Sequence, residues 1–572
     1  MKDFLLIKSS TFTELDLKNE ISDYHSCLSK DDLILIQTFY NENDVTDIDW
    51  YGFSNLVSDE GMVENYLSAK KSLIGNSMIY GSWIEVSDKE ISVRTDHLGA
   101  QKVYYYSSDQ VLIISTNLKY ILSVMSKLSI GFSLNIEQAT LYLYMRETKW
   151  PETIVKEVKT FKPASVVKIR DNRISTNHYQ VFKDTDKTPY DEVIGLLSTL
   201  TKNKTCTTLS GGVDSQCLAK VCADIEIKKA ITCAYASSKK SNEYNSFDER
   251  PYARLLTDAL ETELIEKEFS VDDVKHARKK LINDIEQPAH DPTSFYLMSE
   301  SLSKSGIENI ITGMGGDALF SPSADLNRAR SVYSIYNKLL KYLPKKILMF
   351  FIVRANFRGP FNYLYQLVNS NRALEFHELI DLSRPHHYTS VVEKALSKNA
   401  ISKAKSRYFT LDRKSLFSQY ESELTMFSVK VKWKLNAAVL LNPDEYNVEI
   451  TTKKNGLRAL MPLSMPSFVL SCLSQGKLDR TKEIELLKFD IQGTLMKKKS
   501  GFTIPYEEWW KCLFGETLKS ILNDSHFIKK MALDIPYLSS LIEKDRLNRS
   551  EAAFIQRLDM LYNYLSVNKI NY

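Results

Sequence analysis

The sequence predicts an α/β protein whose first part carries antiparallel sheet and whose second part carries a parallel sheet with helical additions. Three observations lead there. Between residues 78 and 117, β-branched or aromatic segments ("MIYGSWIEVSD", "EISVRTD", "KVYYYSS", "VLIISTN") are separated by polar turns such as "DHLGAQ". From about 205 to 311, strand-like and helix-like stretches alternate, as βαβ units of a parallel sheet require. From about 325 onward the pattern is mainly helical, rich in aromatics and lysine. A chain of 572 residues is long for one core, so two domains are expected, 1–186 and 187–572, meeting at the polar stretch "KDTDKTPYDE".

In the first part, "IEQATLYLYMRE" reads as a helix, and "SVVKIR" and "RISTNHYQVF" as strands turning at "DN". In the second, "TCTTLS" is a strand, 214–224 a helix, "AITCAYAS" a strand and "ERPYARLLTDALET" a helix, followed by strands at "LIEKEFS" and "ENIITG". No internal repeat or low-complexity segment interrupts this order. The apolar run in "MKDFLLIKSS" is too short for a signal peptide. "ILMFFIV" (347–353) falls far short of the roughly 20 residues that span a bilayer, and it reads as a buried helix segment, with a monotopic membrane contact as the alternative. The extra helical region, with aromatics and lysines across 330–410, reads as plain helical packing ahead of a groove for a peptide.

Apolar content of 43% and charged content of 26% are those of a soluble globular protein. A formal net charge of +4 gives no case for a nucleic-acid partner. The seven cysteines are sparse and never form CxxC, which suits a reducing cytosol and offers no zinc site. A cytoplasmic protein without a membrane span is expected.

The chemistry concentrates in three stretches. "LSGGVDS" (209–215) follows a strand and opens a helix, the end of an open α/β sheet where ligands bind. Gly211 and Gly212 let backbone N–H groups converge on an anion beside the helix N-terminus, while Ser210 and Ser215 supply hydroxyl donors. The spacing differs from that of a P-loop, and no lysine follows. "ITGMGGDALF" (311–320) again sets glycines and an acid after a strand, so Asp214 and Asp317 form a carboxylate pair suited to a Mg²⁺ ion that bridges phosphates. "MKKKSGFTIPYEEWW" (496–510) has more texture than a solvated charge run.

The serine-glycine-glycine-x-aspartate-serine stretch is similar to the pyrophosphate loop of N-type ATP pyrophosphatases, and the three stretches in this order resemble the asparagine-synthetase superfamily. "TDHLGAQKVYYYSSDQVLIISTNLKYIL" (95–122) resembles the class II glutamine amidotransferase domain, and "DERPYARLL" (248–256) and "EQPAHDPTSFYL" (286–297) resemble parts of the synthetase domain. The resemblance implies an αββα amidotransferase-like domain and an adenine-nucleotide α-hydrolase-like synthetase domain. It implies that Mg·ATP adenylates a carboxylate and that an amine then displaces AMP. By position, it places pyrophosphate on Ser210, Gly211, Gly212, Asp214 and Ser215, and adenine near Leu209, Ala234 and Tyr235. Mg²⁺ falls to Asp214 and Asp317, the second phosphate loop to Gly313, Gly315 and Gly316, and charge stabilisation to Lys499.

The departures narrow the reading. Glutaminases of this class carry a nucleophilic cysteine where this chain has Lys2, so the first domain is expected not to release ammonia from glutamine. Met314 and Ala318 stand where the family often has groups for binding or proton transfer. Arg458, Leu460 and Asn447 stand where an acid and two arginines are looked for, which argues against free L-aspartate as substrate. Glu286 and His290 are candidates for the general base. Among members without that cysteine, the chain looks most like a lasso-peptide cyclase, which joins an acidic side chain of a precursor peptide to the peptide's own N-terminal amine. That reading implies a substrate peptide and, beside it, a leader-peptide-binding protein or leader peptidase. An amide ligase for a small carboxylate or sugar acid, and a non-catalytic scaffold, remain the alternatives.

Overall fold

The computed structural model describes residues 4–9, 26–30, 33–37, 50–53, 56–58, 61–63, 79–87, 90–97, 99–170, 173–179, 186–236, 248–289, 291–320, 324–355, 360–370, 373–374, 378–379, 389–411, 443–476, 478–493 and 504–572. The architecture is α/β, with antiparallel sheets first and a parallel sheet later, as the patterning leads one to expect.

Five parallel strands position the site: β1 (Thr205–Thr208), β2 (Lys229–Tyr235), β3 (Glu263–Phe269), β4 (Asn309–Ile311) and β5 (Arg458–Leu460). Their spatial order is β3-β2-β1-β4-β5. The chain builds outward from β1 in one direction and then returns to its other side. The gap between β1 and β4 is therefore a topological switch point, where connecting loops diverge and leave a crevice. Thr207 pairs with both Ala230 and Ile311, so β1 and β4 end level and their following loops emerge side by side. Alternate side chains face opposite cores. Cys206, Ile231, Cys233, Tyr235 and Ile310 join one cluster, and Ala230, Ile311 and Leu460 the other. β5 escapes the sequence pattern because "RAL" is short and carries no β-branched residue.

In the first part, a six-stranded antiparallel sheet centres on Phe4–Ser9, which lies between Val111–Ser115 and Leu33–Gln37. The apolar run set aside as too short for a signal peptide is thus an interior strand. A five-stranded antiparallel sheet packs on it. Phe4, Leu6 and Ile114 of the first sheet meet Ile84, Val93 and Val167 of the second. The opposite face of the first sheet (Leu5, Ile7, Ile113) packs against helix Leu118–Lys127.

Helix Ile136–Met145 is buried all round from Gln138 onward, so it must be enclosed by other elements. It packs against Lys398–Thr410 and Arg549–Val567, and Tyr142, Ile401 and Leu558 share one hydrophobic cluster. The Tyr142 hydroxyl donates to the Ala289 carbonyl at 3.2 Å, and Gln366 Nε2 donates to the Tyr144 hydroxyl at 2.9 Å.

The segment 347–353 corrects the expectation of a buried run. It lies in helix Lys345–Arg354; Leu348 and Ile352 are buried against Leu364, Tyr365 and Val368, and Met349 is partly buried beside them. Ile347, Phe350, Phe351 and Val353 are exposed. Among the described residues, no helix is long and apolar enough to cross a membrane.

Candidate active site

The first loop leaves β1 at Leu209, which is buried and donates its N–H to the Ile231 carbonyl at 2.8 Å. The turn is then wound around two hydroxyls. Ser215 Oγ accepts from the Ser210 N–H at 3.1 Å, lies 2.9 Å from Ser210 Oγ and donates to the Gly212 carbonyl at 3.0 Å. Ser210 Oγ accepts from the Gly212 N–H at 3.1 Å. Helix Val213–Asp224 starts on Gly212 with no side-chain cap, so its first-turn amides keep the donor capacity that a phosphate uses. The Gly211 N–H points at the Glu249 carboxylate, 3.4 Å away.

The second loop leaves β4 and presses onto the first. Gly316 sits so close to Asp214 that a Cβ there would lie 1.8 Å from Oδ1, and a Cβ on Gly313 would lie 3.1 Å from the Asp214 and Ser215 backbone. Gly315 has φ of +94°, and its Cβ would meet Ser464 Oγ at 2.4 Å. The glycines of "GMGGD" therefore allow two loops and the 462–464 turn to touch. Met314 is tied by its backbone: its N–H donates to Thr312 Oγ1 and its carbonyl accepts from Ser464 Oγ.

This packing brings Asp214 and Asp317 around one cation. Arg480, at the start of helix Arg480–Leu486, donates through Nη1 to Asp214 Oδ1 at 2.5 Å and to Glu483 at 2.6 Å, and through Nη2 to Asp317. Burial alone would lower the guanidinium's pKa, but the charges and hydrogen bonds of Asp214 and Glu483 together outweigh it, and Arg480 is held well above its usual range. Burial, and next the Asp214 charge, push the Glu483 carboxyl well above the usual carboxylate range, against the lowering effect of Arg480. Two acidic groups that converge on one guanidinium could hold a hard divalent cation in its place.

Ala234 and Tyr235 end β2 beside this crevice. Both are buried; the Tyr235 hydroxyl lies 2.8 Å from Ser294 Oγ, and its ring meets Trp509 edge-on. Leu460, where an arginine is looked for, lies fully in the apolar core, and Asn447 is buried. Glu286 is also buried and faces the Lys453 ammonium at 3.7 Å, an ion pair within the core. Lys499, His290 and Lys2 lie outside the described residues. Sequence reasoning passes over Arg480 and Glu483 because "DRTKEIE" reads as an ordinary capped, solvated helix start, and over Glu249 because its partner is a backbone amide 38 residues away.

The asparagine synthase family model matches residues 199–466. That stretch is an asparagine synthase family domain. The family match supports an ATP-dependent carbon–nitrogen ligase. The asparagine synthase domain contains both loops of the site and all five parallel strands; Arg480 lies just beyond it. Comparison with curated proteins returns no match. Among solved structures, the chain is similar to the glutamine phosphoribosylpyrophosphate amidotransferase from B. subtilis complexed with ADP and GMP, at 7% identity over 55% of this chain and 75% of that one. Its TM-score of 0.19 is too low for that likeness to bear on fold or function.

Proposed function

We propose that the protein is a macrolactam synthetase of the lasso-peptide cyclase type. In this reading a side-chain carboxylate of a precursor peptide attacks the α-phosphorus of ATP and pyrophosphate leaves. The peptide's N-terminal amine then attacks the acyl carbon, loses a proton and expels AMP, leaving an amide. Residues 187–572 carry the reaction and 1–186 form an amidotransferase-like domain. A leader-peptide-binding protein or leader peptidase is the partner this chemistry calls for.

The observation that carries the synthetase reading is the contact of the "SGGVDS" and "GMGGD" loops at the switch point, with Asp214 and Asp317 drawn to one guanidinium. Ser210, Gly211, Gly212 and Ser215 would hold the inner phosphates through hydroxyls and backbone N–H groups, with Leu209, Ala234 and Tyr235 near adenine and Gly313, Gly315 and Gly316 keeping the second loop close. The carboxylate pair, with no Cβ on Gly316 to crowd it, suits a magnesium ion, which when bound would neutralise polyphosphate charge. Lys499 is proposed to stabilise charge on pyrophosphate and on the tetrahedral oxyanion. The peptide reading is supported at two positions where the family's free amino acid would be held: Leu460 is sealed in apolar packing and Met314 offers no ionisable group.

The test is product analysis with Mg·ATP. Pyrophosphate formation that requires a peptide bearing both an acidic side chain and a free N-terminal amine, with a cyclic product lighter by one water, is expected. Turnover of L-aspartate with ammonium instead would overturn the peptide assignment.

A second expected result concerns Arg480. Its guanidinium occupies the position a divalent cation would take, so Arg480→Ala should raise nucleotide-free Mn²⁺ affinity about tenfold, the scale of one close charge coupling. Electron paramagnetic resonance titration of Mn²⁺ measures this, and unchanged affinity would show that arginine and metal do not compete.

A further inference from the structure

The helical region after the second loop carries an apolar surface that neither the fold nor the site employs. Leu339 is 66% exposed, Tyr342 75%, Ile347 47%, Phe350 59%, Phe351 52% and Val353 58%. They follow one another along a short 3₁₀ turn (Leu340–Tyr342) and helix Lys345–Arg354. Leu343 belongs to the same run and Ile335 to the preceding helix; the other exposed large apolar side chains among the described residues, Ile174, Leu255, Ile535 and Val567, are scattered singly. Contiguous apolar exposure of this kind marks a docking surface. The inward side of the same helix is anchored by Leu348 and Ile352, so the outward aromatic side is held out by the fold and does not result from a frayed end. Phe350 and Phe351 brace each other edge-on with ring centroids 5.5 Å apart.

Charge decides what this surface fits. Lys338, Lys341, Lys345, Lys346 and Arg354 surround the apolar side chains, and no aspartate or glutamate occurs anywhere from 326 to 374. A second copy of the chain would bring like charges together. Exposures of half or more describe side chains that protrude, whereas the walls of a peptide groove are partly covered. An apolar ridge with aromatic tips and a basic border matches the boundary between headgroups and acyl chains of an anionic bilayer. At ten residues the helix cannot cross a membrane but can lie along its surface. We propose that residues 339–354 dock the protein peripherally on an anionic lipid surface.

Flotation of the full-length protein with phosphatidylcholine vesicles, with and without phosphatidylglycerol, tests this. Binding is expected to require phosphatidylglycerol and to weaken with salt. Phe350→Ser/Phe351→Ser and Lys345→Glu/Lys346→Glu should each weaken it at least about tenfold. Thermal melting and pyrophosphate formation in solution should stay unchanged, because these side chains are exposed and lie outside the proposed machinery. Absence of binding to phosphatidylglycerol vesicles, or parental binding by the phenylalanine variant, overturns the proposal. So does a dimer, seen by sedimentation velocity, that the phenylalanine variant dissociates, because the occupant would then be a second copy.

Discussion

Replacing Asp214 or Asp317 with Ala is expected to lower pyrophosphate formation from ATP by at least about a thousandfold, the scale of several kcal/mol of charge stabilisation at a phosphoryl centre. Each carboxylate sits at the head of a loop leaving the switch point, and both are drawn to the same guanidinium. Removing one leaves Arg480 with one acidic partner fewer and takes away one of the two carboxylates proposed to hold magnesium. The two variants should behave differently as folded proteins. Asp317 is exposed, so its loss should leave melting nearly unchanged. Asp214 is buried beside Arg480 and Glu483, so its loss should also cost stability. Steady-state pyrophosphate release with calorimetric melting separates these effects. Activity of the Asp317 variant within tenfold of the parent would remove the carboxylate pair from the mechanism.

Gly316→Ala is expected to reduce the same activity by about a hundredfold or more through geometry alone, since small misplacements near reacting groups are costly. The added methyl would stand 1.8 Å from Asp214 Oδ1 and 2.9 Å from Leu463 Cδ1, so the carboxylate or the whole loop must move. Gly456→Ala is the control for the substitution itself: Gly456 has φ of +76°, but its Cβ would meet nothing within 4 Å. Strain at Gly456 should lower melting and spare activity, whereas Gly316→Ala should do the reverse in proportion. Equal activity losses in the two variants would mean that loop contact is not the cause.

Much of this was accessible to sequence reasoning, for reasons that differ by element. The alternation from 205 to 311 is legible because the β-branched runs TCTT and NII are closed by glycine loops, and ELIEKEF by a capped helix. The two phosphate-loop stretches are legible because their glycines mark close approach, and the structure supplies the objects approached: Asp214, Ser215, Leu463 and Ser464. Phe4–Ser9 is harder, because an apolar run of only four residues, FLLI, has no periodicity to announce a central strand. The outward aromatic face of 345–354 was hidden by a rule that holds on average, that such runs are buried. Arg480 was invisible for a different reason. A long-range ion pair leaves no local pattern, and its acidic partners lie 266 and 163 residues away.

The enclosure of helix Ile136–Met145 has a consequence for how the chain's two portions can be separated. Its side chains line the wall behind Lys398–Thr410 and Arg549–Val567, and Glu152 reaches across to Arg407. Excising the opening third would uncover a greasy scar on the remainder and leave the exposed Arg407 without its Glu152 partner. The front portion thus covers apolar surface that the later helices would otherwise expose, a structural task that needs no chemistry of its own.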